Sequence, residues 1–220
     1  MRILSLTPTR LAAPGCILAI SATALLTAGG CSSATRYYTL SRVESAVPIS
    51  ARAASSAWIG IGPVELPDYV DIPQIVIRTG ANTLEQATFD QWGGSLDDMI
   101  PRVLVDDLAL RLPADHFVSF PQAGDMAVDY RVPVSISQFD VTTTGEAVVV
   151  ARWQIRGNVG PEAMARGETT ARAQADGTSY PQRVAALSKA MGTVADEIAK
   201  TLASLPRGNA NTSPPRKRGK

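Results

Sequence analysis

The sequence predicts an α+β fold: an antiparallel or mixed sheet with two amphipathic helices packed on one face. Three observations carry that prediction. Ser95 to Leu112, and the stretch from Ser179 to Leu205, repeat apolar residues at i, i+3, i+4 and i+7, so each is a helix with one apolar stripe. The segments around them alternate apolar and polar residues, the period of strands with one wet face. The order is strands, helix, strands, helix with no internal repeat, which suits segregated layers better than a βαβ succession.

In chain order, the first element is a leader. Arg2 and Arg10 are its only charges, Leu11 to Leu26 is apolar or small, and Ala28-Gly29-Gly30 runs into Cys31. That is the layout of a bacterial lipoprotein signal, with cleavage between Gly30 and Cys31 and lipid attachment at Cys31. Small residues let the cut peptide lie extended in a peptidase cleft, and a thiolate is the nucleophile that accepts the diacylglyceryl group. Ala28 stands where Leu is usual. The competing reading is a signal anchor, because Leu11 to Gly30 is uncharged and a span needs about 20 apolar residues. Pro14, Gly15, Gly29 and Gly30 make it a poor span, and Cys16 has too little apolar sequence before it to be the lipid site.

The expected organisation is a signal peptide over 1–30, a lipidated N-terminus with a short strand and loop over 31–56, an α+β domain over 57–205 and a basic disordered tail over 206–220. Ser32 to Arg36 is a tether whose five residues reach at most roughly 18 Å. Tyr37 to Leu40 reads as a short strand and Val43 to Ser56 as a loose loop. Ala57 to Leu66 is a strand ending in a turn, and Pro63, Pro67 and Pro73 confine this region to edges, bends and irregular extended chain. Gln74 to Thr79 and Thr83 to Gln91 form a hairpin about Gly80-Ala81-Asn82.

In the first helix the stripe is Leu96, Met99, Ile100, Val103, Leu104, Leu108 and Leu112. Asp97 and Asp98 suit its N-terminus and Arg111 its C-terminus, and Asp98–Arg102 and Asp107–Arg111 are i, i+4 pairs placed on its outer side. Pro101 either kinks this helix or marks its true start. Phe117 to Phe120 is a short strand. Val128 to Val141 and Ala147 to Arg156 form a long hairpin about Thr143–Glu146, Asn158 to Pro161 is a turn, and Arg166 to Ala175 is a polar edge strand. Ser179 and Gln182 form a capping box for the last helix, whose stripe runs Val184, Leu187, Met191, Val194, Ile198, Leu202 and Leu205 with Asp196 and Lys200 opposite. Gly192 costs about 1 kcal/mol inside a helix, so tertiary packing must support it.

Composition narrows the chemistry. The leader holds two and the tail after Leu205 five of the 21 basic residues, which leaves 14 basic against 20 acidic residues in 31–205. A body of net charge −6 argues against nucleic acid. After cleavage one cysteine remains, so no disulfide forms within the chain, and the single His116 removes multi-histidine metal sites. His116 and Asp115 have no G-x-S-x-G serine to complete a triad, and Gly60-Ile61-Gly62-Pro63 lacks the third glycine and following helix of a nucleotide loop. Adjacent helix residues point about 100° apart, so Asp97–Asp98 and Asp106–Asp107 read as a solvated face rather than paired carboxylates. Trp58, Trp92 and Trp153 read as packing residues. The expectation is a protein that is not an enzyme and carries no cofactor or metal.

The motifs "YYTL" (Tyr37 to Leu40), "IGPVELPDYVDIPQIVIR" (Ile61 to Arg78), the segment ending near Trp92 and "RVLVDDL" (Arg102 to Leu108) together resemble the PqiC-type auxiliary lipoproteins of ABC transporters, over roughly Cys31 to Leu205. Asp107 stands where that family commonly has Asn, and the basic tail is extra. The resemblance implies an outer-membrane lipoprotein facing the periplasm, held by its N-terminal lipid. The partners it implies are an MCE-domain protein, an inner-membrane ABC transporter, phospholipid or another hydrophobic cargo, and further copies of this chain in a homo-oligomeric ring. Ser32, rather than Asp, after the lipidated cysteine predicts export to the outer membrane. The alternative is a structural lipoprotein bracing another outer-membrane assembly, and an esterase acting on lipids is a third reading.

Overall fold

The computed structural model describes residues 34–44, 56–113, 115–120, 127–158 and 163–205. The leader with Gly30 and Cys31, most of the loop after Val43, the centre of the turn after Asn158 and the basic tail lie outside the described residues. The described elements are β1 (Arg36–Tyr38), β2 (Trp58–Glu65), a 3-10 turn (Asp68–Val70), β3 (Gln74–Gly80), β4 (Thr83–Trp92), α1 (Leu96–Arg111), β5 (His116–Ser119), β6 (Tyr130–Thr142), β7 (Glu146–Gly157), β8 (Ala163–Gln174) and α2 (Tyr180–Ser204).

The eight strands form one mixed sheet, so the α+β expectation holds. β6 is its centre. One edge of β6 pairs antiparallel with β7, which pairs antiparallel with β8. The other edge is shared by two parallel strands. β2 covers Tyr130 to Ser135 and continues to β5, while β3 covers Val141 and Thr142 and continues through β4 to β1. β8 is the polar edge strand the sequence predicts.

The long hairpin shows why the alternation was readable. Val134 faces Trp153, Ile136 faces Ala151, Phe139 faces Val149 and Val141 faces Ala147, all buried. An irregularity between Ile136 and Gln138 shifts the parity, so Phe139 and Val141 still point to the core. The two helices pack against each other over this face, α1 on β2 and β5 and α2 on β7 and β8. Every predicted stripe residue of α1 is buried except Met99, which is half-buried, and that of α2 is buried from Val184 to Leu202. α1 runs through Pro101, starting at Ser95, whose hydroxyl accepts from the Asp97 N–H. Gln182 accepts from both the N–H and the hydroxyl of Ser179, which fixes the start of α2.

Two expectations are corrected here. The first strand is Arg36–Tyr38 instead of Tyr37 to Leu40, because Leu40 leaves the ladder to bury itself in the core. The pair Asp107–Arg111 is not on an outer face: Asp107 and Arg111 are 0% and 2% exposed. α1 is covered on two sides, by the sheet and by α2, and the periodicity of one helix reports only one of them. Asp97, Asp98 and Asp106 do face solvent, and Lys200 pairs with Glu197 while Asp196 takes Arg111.

Candidate functional site

The residues that follow the predicted lipid site are fastened to the domain step by step. Arg36 and Tyr38 grip one buried carboxylate, Asp90 of β4: Arg36 Nη2 donates at 2.9 Å and the Tyr38 hydroxyl at 2.6 Å. The Tyr38 ring lies 6.3 Å from that of Tyr180 at the start of α2. Leu40 enters the core. The Ser41 N–H donates to Ser188 Oγ on α2 at 3.1 Å, and the Val43 N–H donates to Asp107 Oδ1 on α1 at 2.7 Å. The "YYTL" motif thus supplies a gripping tyrosine and a buried leucine, and the arm crosses from the sheet edge to both helices.

Arg111 locks that crossing. Its Nε donates to Asp196 Oδ1 at 2.6 Å, Nη2 to the Gly192 carbonyl at 3.0 Å, and Nη1 to the carbonyls of Asp107 at 2.8 Å and Val43 at 3.3 Å. The arm explains Gly192 in mid-helix. A Cβ there would stand 3.2 Å from Val43 Cβ and 3.4 Å from Arg111 Nη2, so the glycine makes room for the arm and the guanidinium.

Burial pushes the Asp107 carboxyl up to about 6, against the pull of the Val43 N–H and Arg111, and Asp196 adds to the rise. Its Oδ2 is buried without a hydrogen-bond partner among the described residues, which suits a proton there. The folded state therefore holds more protons than the unfolded chain between about pH 4 and pH 6, and stability falls as pH rises through that window. At about 1.4 kcal/mol per pKa unit, a rise of about two units corresponds to about 3 kcal/mol. Asp107→Asn removes this slope. In urea titrations from pH 4 to pH 7, the variant gains stability relative to the parent as pH rises; a constant difference would contradict the assignment.

The proline-rich stretch has a structural task of its own. Between the end of β2 and the start of β3, the β6 edge has no strand beside it. Tyr69, delivered by the turn after Pro67, fills the gap: its hydroxyl accepts from the Phe139 N–H at 2.9 Å and donates to Asp140 Oδ2 at 2.9 Å. Arg78 of β3 binds the same carboxylate through Nε at 3.0 Å and Nη2 at 2.6 Å. Burial alone would raise Asp140, but hydrogen bonds from Arg78, Gln138 and Tyr69 outweigh it and hold the carboxyl below its usual range. Burial likewise pushes Tyr69 up to about 12. The segment Leu66 to Arg78 is therefore a brace that lets two strands share one edge of β6.

Among the described residues, no chemistry-bearing constellation joins these features. His116 is exposed on β5 and stacks on Trp58, with ring centroids 4.7 Å apart. Trp92 and Trp153 are core residues, as predicted, and Trp58 is 38% exposed. Among the described residues no group of His, Cys, Asp or Glu is arranged to hold a metal, and no helix is long and apolar enough to cross a membrane. The sequence reading missed the arm clamp; the mid-helix Gly192 was its one visible sign.

Fold and site together define a small α+β domain whose N-terminal arm is fastened to its helical layer. The chain belongs to the family of ABC-type transport auxiliary lipoprotein components, whose model matches residues 38–199. The resemblance read from the motifs is therefore correct. A protein from Xanthomonas campestris of the DUF330 family shares the fold with a TM-score of 0.62 at 16% identity, covering 76% of this chain and 95% of its own. An uncharacterized protein aligns with a TM-score of 0.64 at 18% identity, covering 77% of this chain and 99% of its own. No curated protein matches the chain.

Proposed function

We propose that this protein is an outer-membrane lipoprotein, acylated at Cys31, that serves an MCE/ABC-type intermembrane lipid transport system as a passive docking or terminal conduit subunit and so supports envelope integrity. The observation that carries this reading is the family match, which begins at residue 38, seven residues after Cys31. Leader, anchor and transport-auxiliary domain are then continuous. The fastened arm supports the same reading, because a lipid on Cys31 acts on a rigid domain only if the chain between them is short and held.

Such a system has a clear physical purpose. Each acyl CH₂ exposed to water costs about 0.8 kcal/mol, so a lipid with about 30 of them faces on the order of 20 kcal/mol in crossing the aqueous gap. A protein-lined path removes most of that, and the energy for directed movement comes from the ATPase partner. An MCE-domain protein, the inner-membrane transporter and further copies of this chain in a ring are the partners this role requires. A lipoprotein bracing another outer-membrane assembly is the second reading, and neighbouring genes for an MCE protein, an ABC permease and an ATPase separate it from the first.

Cys31→Ser tests the anchor. The variant is expected to leave the membrane fraction and appear in the soluble periplasmic extract, while the acylated parent sediments with the outer membrane. A variant that stays membrane-bound would restore the signal-anchor reading of Leu11 to Gly30.

A further inference from the structure

The sheet face turned away from the helices carries a cleft of about 540 Å³. Pro63 of β2 and Pro133 of β6, with the aliphatic stems of the neighbouring arginines, give its lining an apolar part, while Val134 and Trp153, which also border it, are core residues. Arg152, Arg156 and Arg166 give it a basic part, and Glu65 and Glu168 are its acidic members. Arg152 is taken up by an ion pair with Glu168. Among the described residues, neither of the other two arginines has a carboxylate partner. Arg156 holds only the side-chain oxygen of Gln154, at 2.9 and 3.2 Å, and Arg166 has no carboxylate partner among the described residues.

Register makes the charge unusual. Arg131 and Arg156 are direct cross-strand partners on β6 and β7. Arg166 faces Gln154 on β8, one diagonal step from Arg156. Among the described residues, Arg131 has the ring of Phe120 as its partner, 4.4 Å from its guanidinium carbon. Like charges directly opposite on an antiparallel pair are destabilising. Here a row of three spans three strands, in a body whose net charge is −6 over residues 31–205. An oxyanion seated among them relieves that repulsion. Guanidinium groups match phosphate oxygens in a two-pronged geometry, and strand positions hold them in place.

We propose that this cleft binds a phosphate group: Arg156 and Arg166, with Arg131 beside them, take its oxygens, and the apolar lining takes the carbon chain attached to it. The ligand is a phosphate ester, either a lipid headgroup or a soluble compound. The assignment rests on the arginine row and the cleft, and stands apart from the transport reading.

Calorimetric titration of the mature protein, extracted from membranes in non-ionic detergent, tests it with three probes: inorganic phosphate, dihexanoyl phosphatidylglycerol and phosphate-free dihexanoylglycerol. The phosphate-bearing probes are expected to bind saturably and dihexanoylglycerol is not. Arg156→Gln and Arg166→Gln should each weaken binding about tenfold, the loss of one charge-assisted contact. Both side chains are exposed, so neither variant should melt below the parent, and Arg156→Gln, which removes the charge facing Arg131, should melt at or slightly above it. Arg172→Gln, exposed on the same β8 strand but outside the cleft, should leave affinity unchanged. Phosphatidylglycerol binding at least about tenfold tighter than phosphate assigns the headgroup of a lipid, and equal affinities assign a soluble phosphate. The proposal is overturned if neither phosphate probe saturates, if dihexanoylglycerol binds as well, or if Arg172→Gln weakens binding as much as Arg156→Gln. The outcome is read independently of whether transporter subunits bind the protein.

Discussion

Arg111→Ala is expected to lower the stability of the domain by about 3–5 kcal/mol near pH 7, the usual cost of removing one partner of a buried charge pair. The side chains of Arg111 and Asp107 are 1% and 0% exposed, so the carboxylate left behind has no route to water. Asp196 is 32% exposed and is less affected. Three carbonyls, of Asp107, Gly192 and Val43, also lose a hydrogen bond. Because Asp107 can take a proton near pH 6, the cost shrinks as pH falls below that value. Urea unfolding at pH 7.5 and pH 5 checks both parts. The same variant loosens the arm, so limited proteolysis should cut after Arg42 faster than in the parent. Asp107→Leu combined with Arg111→Met replaces the pair by apolar groups and is expected to recover most of the loss. If Arg111→Ala unfolds with the parent's midpoint at pH 7.5, the arm is not held by this cluster.

Gly62→Ala is expected to destabilise by about 2–4 kcal/mol, combining the cost of a left-handed residue with a clash that only backbone movement relieves. Gly62 has φ of +120°, and a Cβ there would lie 2.2 Å from the carbonyl oxygen of Phe120. The nearest group is backbone, so no rotamer change helps. The affected junction is where β2 lies between β5 and β6, and the register of β2 on β6 already shifts between Ile61 and Val64. Gly60→Ala, two residues earlier, meets only ordinary contacts at 3.4 Å and beyond, and serves as the control. Thermal melts of the two variants should separate clearly. Equal melting temperatures would mean that the glycine of the "GPV" motif is dispensable.

Local order was legible in the sequence where its cause is local. The two helix stripes, the hairpin from Val128 to Arg156 and the Ser179–Gln182 cap each depend on residues near one another in the chain. Pairing between distant segments was not legible. That β2 and β3 share one edge of β6, and that Arg36–Tyr38 lies parallel to β4, follows from contacts that no short window contains. The brace is an example: the proline-rich stretch reads as irregular chain, and its purpose appears only when Tyr69 is seen beside Phe139 and Asp140. Asp107–Arg111 shows the opposite hazard. An i, i+4 pair of opposite charges has the same sequence signature on a wet face and under a second helix. The mid-helix Gly192 marked the place where something must pass close to α2, without saying that Val43 and Arg111 do so. The acylation expected at Cys31 rests on leader features that are read in extended form and need no fold, and Cys31→Ser is its test.

The central claim is membership of an envelope transport assembly, and affinity purification tests it most directly. The acylated protein, tagged at its C-terminus, is crosslinked in cells, purified from solubilised membranes and analysed by mass spectrometry against an untagged control. The account predicts that an MCE-domain protein and subunits of an inner-membrane ABC transporter are enriched with it. Recovery of the protein with neither, or with the components of another outer-membrane assembly instead, would contradict it.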